Sequence, residues 1–246
     1  MKLKNHYIII LSIISVLLSA CSYDNYTPPG TRFTGRIVYQ GVPINVQNSS
    51  GDNIDNAAVY FYLYEPGFQK ANMPIKVVVN QDGTFSSELF PDTYKLVMPA
   101  GVGPYIASSD TTTISIKGNK SMDIEVTPYY IIQNPSFTMS SDSIVRTTFK
   151  LTQVVTGANA QNVQAVYLYI NRLLITDGND NIAFAQMDGS SITDMNNINL
   201  SVKMPSLASL GLGISTNQTY IFARIGVQIA GINGMLFSPV QKITIP

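Results

Sequence analysis

From residue 31 onward apolar side chains recur at every second position or in short runs, never with a sustained helical period and its caps, and that admits strands and little else. Val59-Tyr60-Phe61-Tyr62-Leu63-Tyr64 is the clearest case. Such runs are separated by turn residues at a spacing of roughly 8–12, the signature of an all-β sandwich. Strands are predicted at 33–40, 57–64, 75–79, 84–89, 93–98, 112–116 and 121–126, and again at 136–139, 143–153, 164–170, 183–188, 197–204, 219–229 and 240–245. Each set holds enough strands for one sandwich. Pro128 between them holds the preceding residue extended, so the division is placed there, with domains at 31–127 and 128–246.

The chain ahead of residue 31 has a different character. Met1-Lys2-Leu3-Lys4 is basic and Tyr7 to Leu18 is an apolar run, too short to span a bilayer and suited to a secretory signal. The run ends in Leu18-Ser19-Ala20-Cys21, which resembles the bacterial lipobox. That resemblance implies a signal peptide over residues 1–20, and lipidation of Cys21 as the first mature residue. A diacylglycerol thioether with an added acyl chain anchors stably, since each buried CH₂ contributes about 0.8 kcal/mol. Residues 21–30 then read as a lipidated tether, which Pro28-Pro29-Gly30 keeps extended.

Cleavage removes Lys2, Lys4 and the only histidine, His6. Of fifteen basic residues thirteen remain against fifteen acidic ones, a net charge of −2. A mature chain without histidine, free cysteine or tryptophan has no Ser-His-Asp triad, no Cys-His pair and none of the usual zinc, haem or iron–sulfur ligand sets. No basic cluster marks a nucleic-acid site. The expectation is a protein with no enzyme activity, cofactor or metal.

Asn80-Gln81-Asp82-Gly83 is a hairpin signal, with Gly83 supplying the positive φ of a tight turn. The stretch Asp82-Gly83-Thr84-Phe85, followed by Phe90-Pro91-Asp92-Thr93-Tyr94, resembles the transthyretin-like (prealbumin-like), carboxypeptidase-regulatory-like sandwich. Asp92 stands where glycine is usual there. Thr219 to Val227, followed by Phe237-Ser238-Pro239-Val240, resembles the last two strands of an Ig-like, fibronectin type III-like domain. With Asp24-Asn25-Tyr26, Gly103-Pro104-Tyr105 and Val126-Thr127-Pro128-Tyr129, these segments resemble one family. It comprises two-domain Bacteroidetes lipoproteins of unknown function, found in polysaccharide-utilisation loci beside SusC/SusD-type glycan importers. The resemblance implies an outer-membrane location, facing outward if Asp24 suffices as an export signal. The partners it implies are the membrane, a glycan and the importer.

Several residues are candidates for contact with a ligand. Tyr60, Tyr62 and Tyr64 share one strand face, able either to stack sugar rings or to pack against neighbouring strands. Phe68 and Tyr105 sit in Gly/Pro loops, either as contact residues or as plugs of a sandwich end. Asp177-Gly178-Asn179-Asp180-Asn181, with Asp188, resembles a calcium loop but has Ile182 where glycine is needed, so a hairpin loop is expected; the same holds for Asp52-Asn53-Ile54-Asp55. Asp110-Thr111-Thr112 and Asp142-Ser143-Ile144 resemble the Bacteroidetes O-glycosylation sequon and equally suit ordinary entries into strands. No pair of acids is singled out by spacing for glycoside hydrolysis.

Overall fold

The computed structural model describes residues 28–48, 56–65, 73–106, 111–206 and 218–246. The N-terminal sandwich is built on Thr31–Tyr39, which pairs antiparallel with Thr84–Leu89 and with Val42–Pro43, and parallel with Lys120–Ser121 and Ile124–Glu125. Facing it is an antiparallel sheet in the order Ile75–Val78, Tyr60–Tyr64, Asp92–Val97, Thr112–Ile116. Phe33, Ile37 and Phe85 on one side meet Phe61, Leu63, Val77, Tyr94 and Ile114 on the other, all buried. Phe85 closes an aromatic cluster between the layers, 5.1 Å from Phe33 and 5.0 Å from Phe61 between ring centroids. Alternation alone produces this, because in a strand every second side chain faces the opposite sheet.

The predicted turn at Asn80–Gly83 forms as its chemistry requires. Gly83 takes φ 82°, its N–H donates to the Asn80 carbonyl, and the Asp82 carboxylate accepts from both the N–H and the hydroxyl of Thr84. The turn carries the chain from one sheet of the sandwich to the other, with Val79 opposite Phe85 at the corner.

The C-terminal sandwich has a three-stranded sheet, Tyr130–Met139, Ile144–Gln153 and Ile198–Lys203, packed on Ala183–Asp188, Val163–Asn171 and Tyr220–Ile229, with Leu236–Phe237 and Gln241–Thr244 on the far side of the last. A three-stranded sheet packed on a larger antiparallel one is an Ig-like, fibronectin type III-like sandwich. Its first strand begins at Tyr130, earlier than predicted, and admits Pro135 through a register shift between Gln133 and Ser136 beside Asn134 at φ 50°.

The sandwiches are not separate beads. Asn45–Val46, which periodicity does not mark as a strand, leaves the first sandwich and pairs antiparallel with Leu236–Phe237, the edge of the second sandwich's sheet. The Gln47 N–H donates to the Met235 carbonyl, and Gly103 and Asn233 bridge the same junction through backbone bonds. Buried residues from both halves form one apolar cluster.

Candidate functional site

Tyr60, Tyr62 and Tyr64 lie partly exposed on the outer face of the four-stranded sheet, while Phe61 and Leu63 between them are buried. Consecutive ring centroids are 5.2 and 6.2 Å apart, with the rings tilted by 62° and 64°, so the row presents edges and hydroxyls as much as faces. The Tyr62 phenol holds its proton above the usual range, chiefly through its hydrogen bond with Tyr60, against the pull of Lys76. Lys76 lies across from Tyr62 in register, and its Nζ sits 4.1 Å from the Tyr60 ring centroid. Lys95 lies across from Tyr64 on the other side. Sequence reasoning missed both lysines because they reach the row only through strand pairing.

Tyr105 is not a contact residue. It is 1% exposed, sealed into the core, and its hydroxyl has no partner among the described residues. The cause is Gly103 at φ 85°: the chain doubles back so tightly that a Cβ there would lie 2.4 Å from the Tyr105 ring. Of the two readings of this loop aromatic, plugging the sandwich is the one the fold adopts. Replacing Tyr105 with Phe removes a desolvated hydroxyl that gains no protein hydrogen bond, and is expected to raise stability by about 1–2 kcal/mol. A urea midpoint that falls on this substitution would contradict it. Cys21, Asp24, Phe68, Asp110 and the Asp52–Asp55 segment lie outside the described residues.

The calcium-like loop is a hairpin connection between Val163–Asn171 and Ala183–Asp188. Asp177 is 4% exposed and both its oxygens are engaged by donors. Oδ1 accepts from the N–H groups of Asn179 and Asp180 at 2.8 and 2.9 Å, and Oδ2 accepts from Gln81 Nε2 at 2.6 Å. Gln81 belongs to the N-terminal hairpin, so this bond crosses between sandwiches. Its Oε1 accepts from Arg224 Nη1, and the Arg224 guanidinium lies 5.0 Å from the Phe237 ring. Burial draws the Arg224 pKa down to about 10, with Asp177 and Asp82 opposing. Arg224 was legible only as part of a strand motif; nothing local tells which domain it would face. Among the described residues no three His, Cys, Asp or Glu side chains gather as a metal site, and Asp142 caps its own turn through Ser140, the Ile144 N–H and Arg146.

The fold does bring two acids together that spacing does not. Glu65 is held above the usual carboxylate range by burial first, then by a hydrogen bond with Asp92 and its charge.

A separate apolar feature is the exposed run Leu173, Leu174 and Ile175, at 69%, 61% and 57%. The loop is pinned from behind: Asn171 Nδ2 donates to the Ile175 and Asp180 carbonyls, the Thr176 hydroxyl to the Leu173 carbonyl, and Gln218 Nε2 to the Arg172 carbonyl.

Residues 31–127 match the model for the N-terminal domain of a protein of unknown function, DUF3823, and residues 130–242 match its C-terminal domain, likewise of unknown function. Solved structures similar to this one include DUF3823 family proteins from Parabacteroides merdae (28% identical, TM-score 0.73) and Bacteroides ovatus (28%, 0.70), each covering 89% of this chain and 100% of its own. A candidate carbohydrate-binding protein from Bacteroides uniformis shares the fold at 15% identity and a TM-score of 0.66, over 88% of this chain and 100% of its own. No curated protein matches. With both family domains found in order over most of its length, the chain belongs to the DUF3823 family.

Proposed function

We propose that this is a non-enzymatic cell-surface lipoprotein, an accessory of an outer-membrane glycan-uptake system that binds glycan through the outer face carrying Tyr60, Tyr62 and Tyr64. The observation that carries the reading is the aromatic row itself. Three partly exposed phenols in line along one strand, offering ring edges, faces and hydroxyls, suit a linear polymer. The structural relatives support it in kind: they are domains of unknown function and a candidate carbohydrate-binding protein, not enzyme families. Affinity electrophoresis against a panel of polysaccharides tests it. Tyr62→Ala is expected to weaken retention about tenfold, equivalent to 1–2 kcal/mol, with the far-UV CD spectrum unchanged. Silence across the whole panel ends the proposal. The anchor at Cys21 is tested separately, since Cys21→Ala should abolish fatty-acid labelling and release the protein from membranes.

A second reading has its own observation. Leu173, Leu174 and Ile175 are held outward by partly buried polar bonds behind them, an apolar display suited to a protein ligand such as an importer subunit or another assembly component of the outer membrane. Co-purification of importer subunits, lost on Leu174→Asp while no glycan is retained, would favour this reading over the first.

A further inference from the structure

Strand register determines what accompanies the tyrosines. On the outer face of the four-stranded sheet, residues alternate with the buried Phe61, Leu63, Val77, Tyr94, Leu96, Ile114 and Ile116. Across from Tyr62 stand Lys76 and Val97, and across from Tyr64 stands Lys95, itself opposite Thr113; Thr93 and Ser115 form the next pair. Exposed Lys117 follows one step beyond the last strand with the same outward alternation. No aspartate, glutamate, asparagine or glutamine occupies an outward position of these four strands. Glu65 and Asp92, the acids at the end of the sheet, stand at inward positions in the alternation and interact with each other.

This composition discriminates between ligands. A neutral sugar offers hydroxyls, which are held most firmly by carboxylates, which accept, and amides, which both accept and donate, over a flat aromatic platform. Here carboxylate and amide groups are missing from the outward positions of the four strands, and the rings are tilted 62° and 64° to one another. What the face offers is phenol, Thr and Ser hydroxyls and lysine ammonium groups, all able to donate to an anion. The cationic face also stands out against a mature chain whose net charge is −2.

We infer that the Tyr60–Tyr62–Tyr64 face takes an anionic polysaccharide, with its uronate carboxylates or sulfates on Lys76 and Lys95 and its sugar rings along the tyrosines. This rests on the glycan reading above and names the class of glycan. The test is affinity electrophoresis of the mature chain on polygalacturonate and chondroitin sulfate, with galactan and dextran as neutral counterparts, at low and high salt. The acidic polymers should retain the protein and release it as salt rises. A Lys76→Ala/Lys95→Ala variant with an unchanged CD spectrum should bind them at least roughly tenfold more weakly. Retention by neutral polymers as strong as by acidic ones overturns the inference while leaving glycan binding intact. Acidic retention that the double variant leaves unchanged overturns it too, by moving the ligand off this face. No retention by any polymer removes both proposals.

Discussion

Asp177→Ala is expected to lower stability by about 3 kcal/mol or more, although the residue sits in a loop. Three losses add. Two backbone N–H groups, of Asn179 and Asp180, lose their acceptor, at about 1 kcal/mol each. Gln81 Nε2 loses its carboxylate partner across the domain junction. The guanidinium of Arg224, 4% exposed, loses the stronger of the two charges that favour it. For a chain of this size that is a fall in Tm of about 6–12 °C. Asp177→Asn, which keeps an oxygen for the loop bonds and removes the charge, should cost less. Because Gln81 links Asp177 to Arg224, the double variant with Gln81→Ala should fall short of the sum of the singles by about 1 kcal/mol. Urea titrations of the parent and the four variants measure all of this; additive singles, or an Asp177→Ala midpoint within error of the parent, would refute the network.

The second large effect is a steep loss of stability in alkali. Burial pushes the phenols of Tyr105, Tyr169 and Tyr94 up, Tyr94 to about 12, while in the unfolded chain each titrates near 10. A group whose folded pKa is raised contributes stability that is fully present below its unfolded pKa and is lost as pH climbs toward the folded one. Above pH 10 the unfolded state therefore sheds protons that the folded state keeps, at about 1.4 kcal/mol per pH unit for each phenol. Arg224, drawn down to about 10, has the opposite sign over the same window and offsets one of the three. The net fall between pH 10 and 12 is about 3 kcal/mol per unit. Circular dichroism through urea titrations at pH 9, 10 and 11 reads it, and Tyr105→Phe should flatten the slope by about 1.4 kcal/mol per unit. A midpoint independent of pH over that range would refute the buried-phenol account.

These sites mark the division between what local pattern conveys and what it does not. The Asn80–Gly83 turn was legible because four adjacent residues contain all of its chemistry. The strands of the C-terminal sandwich were legible because alternation reports burial directly, as in Ile198–Lys203, where buried and exposed residues strictly alternate. Asn45–Val46 was not: a two-residue strand has no period, and its partner at Leu236–Phe237 lies near the other end of the chain. Tyr105 stayed open between a contact residue and a plug because Gly-Pro sequences mark loops without giving the ring's direction, and it is the glycine that lets the ring fold inward. At the candidate site the tyrosine row was visible in one strand, whereas Lys76 and Lys95 belong to it only by cross-strand register, which a single sequence does not encode locally.

The strand that Asn45–Val46 lends to the second sandwich makes the two halves depend on each other. Cut at the family's internal boundary, the second half would present Leu236–Phe237 as a bare edge of unpaired amides and carbonyls, a template for aggregation. Asn45–Val46 thus makes the second sandwich depend on the first for a protected edge, so the isolated second half is expected to be the less soluble of the two.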